Sequence, residues 1–203
     1  MLPKGTPKAM LLVALVVGIA AIGLVRFAPF GLAAASQDDA DVAAKIETAM
    51  AAGPPAISAD ATIYDLELDD AGNFVVLREG SNGWSCFPDA PGTPGIDPQC
   101  LDQTWMAWLA AYVAGEEPAT QVVGLAYMLQ GGSDPSNTDP MATEPAAGED
   151  WVTTAPHVML IVPGNMDLTA FSTDHTSGEP YVMYADTPYA HIMMPVAEGE
   201  HEQ

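Results

Sequence analysis

The chain has 203 residues, and its 27 aspartates and glutamates outnumber five lysines and arginines, which gives a formal net charge of −22. Such an acidic chain repels phosphate backbones and anionic lipid headgroups, which excludes nucleic acid as a partner and membrane binding through a basic patch. A small ligand or a cation remains compatible with this charge. The length suits one domain of ordinary size.

The first 35 residues are predicted to form an export signal. Lys4 and Lys8 precede an apolar run from Ala9 to Val25, and Ala33–Ala35 supplies the small residues of a cleavage site. The alternative is an uncleaved inner-membrane anchor, whose lysines hold the N-terminus in the cytoplasm. Membrane contact is expected only through this segment if it stays uncleaved. Both alternatives predict a periplasmic or secreted location for the rest, which in the second case is anchored and faces the periplasm.

A short amphipathic helix is predicted next, because Val42, Ile46 and Met50 follow each other at i, i+4 spacing. Gly53-Pro54-Pro55 ends it. The expected organisation is a signal peptide or anchor (1–35), a short helix with a Pro-rich linker (36–56), a globular domain (57–196) and a disordered tail (197–203).

The globular domain is predicted to open with a hairpin. Tyr64, Leu66 and Leu68 alternate with acidic residues, which indicates a half-buried strand with these three side chains facing the core. Turn residues follow at 70–73, and 74–79 forms the second arm.

A helix is predicted over Leu101–Ala114, where Trp105, Trp108 and Tyr112 share one face that is typical of a core. Further strands are predicted at 122–129, 157–162, 181–184 and 189–194, with a long irregular loop over 131–151. This order predicts an α+β fold: a single small domain with an antiparallel or mixed sheet, a packed helix and long loops.

The two cysteines, Cys86 and Cys100, are separated by 13 residues rich in Pro and Gly. In an oxidising compartment the pair predicts one disulfide that closes a surface loop. The spacing is neither C-x-x-C nor part of a four-ligand set, which disfavours a redox or metal role.

The stretch from Asp60 to Val196 resembles a family of uncharacterised bacterial secreted proteins to which no activity is assigned. The residues that carry the resemblance are Asp60–Ile63, Leu77–Cys86, Pro98–Asp102, Tyr127–Asp134, Asn137–Pro140, Pro156–Met159 and Pro188–Met193. The resemblance implies a compact exported domain and implies no function.

Two predicted strands each carry a His-x-Met unit: His157 with Met159, and His191 with Met193. Residues i and i+2 of a strand share a face, so each unit presents an imidazole beside a thioether. If the strands are neighbours, four soft ligands suited to Cu(I) could converge. The alternative is ordinary packing, because methionine is a common core residue.

His175 follows Asp174 in a polar loop and is a candidate base or further metal ligand, with an acid of the 131–151 loop as its expected partner. The alternative is a solvated loop histidine. In the long loop, Asp134, Asn137 and Asp139 offer oxygens that suit Ca²⁺, although the spacing is not that of an EF-hand and turn capping explains the same residues.

The sequence lacks the G-x-S-x-G, P-loop, G-x-G-x-x-G and H-E-x-x-H motifs. We therefore favour a non-enzymatic exported domain that binds a metal, copper or calcium, or a small ligand in a His/Met cleft. The alternatives are a hydrolase-like periplasmic enzyme that uses His175 or His157 as its base, and a purely structural envelope protein.

Overall fold

The computed structural model describes residues 37–164 and 166–196. The predicted export signal and the predicted tail lie outside these residues. Within the described ranges, no helix combines the length and apolar character needed to cross a bilayer. The helices are α1 (Gln37–Ala51), α2 (Pro55–Ser58) and α3 (Gln103–Ala114). The strands are β1 (Thr62–Leu68), β2 (Phe74–Arg78), β3 (Ser85–Phe87), β4 (Gln99–Leu101), β5 (Gly124–Met128), β6 (Gly132–Asp134), β7 (Val152–Thr154), β8 (His157–Ile161), β9 (Tyr181–Met183) and β10 (His191–Pro195).

Eight strands form one mixed sheet in the order β2-β1-β3-β4-β5-β8-β10-β9, and β6 pairs with β7 in a second, small sheet. The contact between β1 and β3 is parallel, whereas the other pairs are antiparallel. At the β9 edge, a bridge between Ser172 and Tyr181 adds one more contact, with Val182 N donating to Ser172 O at 2.8 Å. The predicted single-domain α+β fold with a mixed sheet and a packed helix is confirmed.

Capping residues fix helix α3 at both ends. The Asp102 carboxylate accepts from Trp105 N at 2.9 Å and from Leu125 N at 2.7 Å, so one side chain caps α3 and ties it to β5. Gly115 ends the helix at φ 68°, in the left-handed conformation that glycine adopts readily. The predicted helix is confirmed, but it begins at Gln103 because Leu101 is the last residue of β4.

The main core includes the aromatic face of α3, as predicted. Trp105 and Trp108 are buried, and the Tyr112 ring stacks on Trp108 with centroids 5.3 Å apart. Residues of the strands and of the turn between β9 and β10 complete this core: Phe87, Leu101, Ala126, Val152, Met159, Ile161, Tyr181, Met183, Tyr184, Tyr189 and Met193.

A second core cluster surrounds the disulfide. Cys86 and Cys100 are directly opposite each other on β3 and β4, and both are fully buried. Ala49 and Ala52, at the end of α1, belong to the same cluster. The predicted disulfide is confirmed; the bond itself lies in a core, and α1 packs into the domain that was expected to begin near Ile57.

The predicted inward face of β1 is wrong at its far end. Leu66 and Leu68 are 36% and 49% exposed, because the end of the hairpin projects beyond the core. Asp65 is buried instead, and its carboxylate lies 2.6 Å from Lys45 Nζ of α1. The ion pair between these two residues makes burial of the carboxylate tolerable.

The long loop predicted over 131–151 is shorter than expected, since β6 occupies 132–134 and pairs with β7. The prediction also missed β7, and it missed β3 and β4, which flank the Cys86–Cys100 loop. These three strands and β6 have three residues each, which is too short for an alternating pattern to be recognised.

Candidate functional site

The two His-x-Met units lie on neighbouring strands, β8 and β10, and the structure brings them together on one face of the sheet. Met159 and Met193 are directly opposite each other in the antiparallel register. His157 precedes Met159 by two residues, and His191 precedes Met193 by two residues, so the histidines flank the methionine pair at opposite ends. Four residue positions separate them along the strands, about 13 Å.

The same face continues onto the next strands. Register places Met128 of β5 opposite His157, and Met183 of β9 opposite His191. Directly opposite residues share a face of the sheet, so two histidines and four methionines form one layer. We call these six residues the His/Met layer: Met128, His157, Met159, Met183, His191 and Met193.

The His/Met layer is a buried layer and not the open cleft that the sequence analysis expected. His157 is 0% exposed, His191 is 3% exposed, and Met159 and Met193 are buried beside them. Helix α3 covers the His191 end, where Trp105 and Trp108 contact the imidazole. A ligand of this layer must therefore be small enough to fit between packed side chains.

The His157 imidazole has a free nitrogen. Its Nδ1 lies 2.8 Å from the Ala155 carbonyl oxygen, which only accepts, so Nδ1 carries the proton and donates. Its Nε2 is buried and has no hydrogen-bond partner among the described residues. Burial lowers the pKa of His157 to about 4, so the ring is neutral near pH 7 and Nε2 keeps its lone pair.

Met128 and Gly132 complete the surroundings of His157, and neither residue was predicted from a sequence pattern. A Cβ added at Gly132 would lie 2.9 Å from Met128 Cε, 3.7 Å from Met128 Sδ and 3.5 Å from His157 Cε1. The thioether and the imidazole therefore converge on the space that the missing side chain leaves. Met128 is half-buried, unlike His157.

His191 has a different environment. Its Nδ1 donates to the Tyr189 carbonyl oxygen at 3.0 Å. Its ring makes edge contacts with Trp105 at 5.2 Å and Tyr184 at 5.6 Å between centroids. Burial lowers the pKa of His191 to about 4. This aromatic enclosure is typical of a histidine packed in a core.

His175 does not join the His/Met layer. It lies in the loop that precedes β9, and its ring is 6.4 Å from the Tyr181 ring. Within the described ranges, no hydrogen bond joins His175 to an acid of the 131–151 segment, the partner that the sequence analysis expected. Among the described residues, no hydrogen bond or ring contact joins His175 to His157 or His191.

The three candidate calcium ligands face different neighbours. Asp134 accepts from the Tyr184 hydroxyl at 3.4 Å, and the Asn137 amide donates to the Thr173 carbonyl at 3.0 Å. Asp139 accepts from Met141 N at 2.9 Å, as a turn-capping residue does. Across the described residues, no three His, Cys, Asp or Glu side chains are grouped to hold a metal ion.

Asp134 is nevertheless unusual, because it is half-buried and accepts a hydrogen bond from a tyrosine. Burial and the negative charge of Asp97 raise the pKa of Asp134 to about 6, although the Tyr184 hydrogen bond opposes this shift. Tyr184 itself has φ 57°, a left-handed conformation that is rare for an aromatic residue. Strained residues and perturbed carboxyl groups both concentrate at functional sites.

Comparison of the chain with protein-family models, curated proteins and solved structures gave no match. The resemblance to a family of bacterial secreted proteins therefore stays a prediction. Disulfides persist in oxidising compartments, so the Cys86–Cys100 bond is compatible with the predicted export signal.

Proposed function

We propose that this is an exported binding protein for a soft monovalent cation, Cu(I), which His157, Met128 and Met159 hold. The observation that carries the proposal is the His157 Nε2 lone pair, which is buried without a hydrogen-bond partner. An unmet acceptor in a core is costly unless something binds it. Here the neighbours on the same face are thioethers.

The donor chemistry supports copper over harder ions. Imidazole and thioether are soft ligands, and they suit Cu(I) better than they suit calcium or magnesium. A ligating histidine generally donates its second ring nitrogen to a carbonyl or carboxylate, which orients the ring and raises its basicity. The Nδ1 bond of His157 to Ala155 is of this kind.

The half-buried Met128 supports a route of entry for the ion. Met128 is half-buried and lies directly opposite the fully buried His157, and its methyl group occupies the space in which a Gly132 side chain would stand. Methionine is unbranched and flexible, so its sulfur can rotate to accept an ion at the surface and pass it inward. His191, enclosed by aromatic rings, supports the layer from its other end.

The test is a Cu(I) titration of the mature protein with ascorbate as reductant and a competing chromogenic Cu(I) chelator. Ag(I) serves as a second, air-stable probe of the same softness. We expect one equivalent to bind, and we expect His157→Gln, Met128→Leu and Met159→Leu each to weaken binding at least about tenfold. Leucine keeps the volume of methionine and removes only the sulfur.

Two control variants match these changes. Met106→Leu alters a methionine of α3 that packs against the same core, and His175→Gln alters the loop histidine. Both are expected to bind as the wild type does, and thermal melts would verify that every variant is folded. Absence of stoichiometric Cu(I) and Ag(I) binding, or equal binding by Met128→Leu, Met159→Leu and wild type, would overturn the proposal.

A further inference from the structure

A large surface groove lies away from the His/Met layer. Its volume is about 1280 Å³, and its walls are the segment after α3 (117–121), the loop after β8 (162–164 and 166–171) and the turn between β9 and β10 (185–188). Val182 lines the groove, and its partner on β10 is Ile192. Ile192 lies between His191 and Met193 in the strand, so its side chain faces the opposite side of the sheet from theirs. Since successive strand residues face opposite sides, the groove and the His/Met layer lie on opposite faces of the sheet.

All the charged side chains among the described residues that line the groove are acidic. Glu117, Asp167 and Asp186 lie in its walls and are exposed, and no lysine, arginine or histidine is among the described residues that line it. Hydrogen bonds from Thr169 hold the pKa of Asp167 below its usual range, so this carboxylate is ionised over the whole neutral range.

The described basic side chains are occupied elsewhere in the fold. Lys45 pairs with Asp65, and the Arg78 guanidinium donates to the carbonyls of Ser58 and Ala61 at 2.8 and 2.9 Å. No cation of the described protein therefore neutralises the groove, and an approaching cation meets an attractive field.

Apolar side chains line the same walls. Met166 and Phe171 are 52% and 37% exposed, and Val162, Leu168 and Val182 lie beside them. Large apolar side chains exposed together commonly mark a binding surface. An aromatic face also attracts a cation through its quadrupole, and the effect increases when the cation is desolvated.

We propose that this groove binds an organic cation, a molecule that joins a quaternary or protonated nitrogen to an apolar body. Asp167 and Asp186 attract the nitrogen, and Phe171 with Met166 contacts the apolar part. The proposal is independent of the Cu(I) site, because the two use different residues on opposite faces of the sheet.

The test compares three probes of similar size by calorimetry at pH 8: benzyltrimethylammonium, benzyl alcohol and phenylacetate. We expect saturable binding of the cation, weaker binding of the neutral probe and none of the anion. Asp167→Asn and Asp186→Asn should each weaken cation binding about two- to fivefold, the range for one exposed charge pair. Asparagine keeps the Asp167 turn and tolerates the φ of 62° at Asp186.

The control is Asp70→Asn, which removes one negative charge from the β1–β2 turn outside the groove. It should leave the affinity for the cation unchanged. The proposal is overturned if benzyltrimethylammonium does not bind saturably, if benzyl alcohol binds equally well, or if Asp70→Asn weakens binding as much as Asp167→Asn does. None of these outcomes tests the proposed Cu(I) site at His157.

Discussion

The Tyr184 hydroxyl donates to the Asp134 carboxylate at 3.4 Å across 50 residues of chain, and so connects the turn after β9 to the end of β6. Tyr184 also contacts His191 through its ring, and its backbone N–H donates to Asn137 at 2.9 Å. One residue in a left-handed conformation thus joins the small sheet to the end of the His/Met layer. The titration of Asp134 is therefore coupled to the packing of this region.

Opposing titrations should shape the pH dependence of stability. The lowered pKa values of His157 and His191 contribute stability that is fully present above about pH 6.5 and is lost as pH falls towards 4. The raised pKa of Asp134 acts in the opposite direction: its contribution is present below about pH 3.8 and is lost as pH rises through 6. We expect the unfolding free energy of Asp134→Asn to rise by about 2 kcal/mol more than that of the wild type between pH 4 and pH 7.

Urea unfolding of wild type and Asp134→Asn across this pH range would measure that difference. Asp139→Asn removes an exposed carboxylate from the same segment and controls for the loss of one charge. If Asp134→Asn and wild type show the same pH dependence, Asp134 titrates as an ordinary surface carboxyl group and the prediction is wrong.

The disulfide should contribute strongly to stability. Replacing both Cys86 and Cys100 by alanine opens a loop with a sequence separation of 14 and is expected to lower the free energy of unfolding by about 3 kcal/mol. Denaturant unfolding of the double variant measures this loss. Alanine is chosen because serine would place a hydroxyl group in the buried cluster. A double variant that is as stable as the wild type would contradict the expectation.

Gly80 is required where two segments of backbone approach each other. A Cβ at this position would lie 2.2 Å from Ala61 C and from Thr62 N, which are backbone atoms that cannot rotate away. We expect Gly80→Ala to cost about 3 kcal/mol, measured by thermal or urea unfolding. Gly92→Ala, which meets no atom within 4 Å, should change stability by less than about 0.5 kcal/mol.

The substitution Gly132→Ala should weaken Cu(I) binding while the protein stays folded. The added Cβ meets the terminal methyl group of Met128, a flexible side chain that can move away. We expect near-normal stability together with Cu(I) binding weakened about tenfold, since the thioether is displaced from His157. The same chelator competition measures it, with Gly164→Ala as the control in open space. Undiminished copper affinity would show that Met128 is not a ligand.

The sequence predicted the features that depend on local patterns. The apolar and aromatic face of α3, the hairpin turn before Phe74 and the strand that contains His157 each follow from spacing and turn chemistry. The pairing of Cys86 with Cys100 followed from their being the two cysteines of the chain.

The features that depend on register could not be predicted. Met128 is a candidate ligand only because β5 places it opposite His157, and no local pattern specifies which strand pairs with which. Strand β6 consists of Gly132, Ser133 and Asp134, residues with low strand propensity, and it forms because β7 pairs with it. The burial of Asp65 likewise depends on a distant partner, Lys45.

The two edge strands of the main sheet, β2 and β9, differ in whether another segment pairs with them. The β9 edge carries the additional contact with Ser172, whereas no described segment pairs with the outer side of β2. Val75 and Val76 of β2 are exposed, with Asp70 and Glu79 at either end of the strand. Negative charge beside an open edge opposes strand-to-strand association of copies. Removal of both charges, as in a variant with Asp70→Asn and Glu79→Gln, is therefore the change that we expect to let copies of this protein assemble, with β2 as the strand through which growth begins.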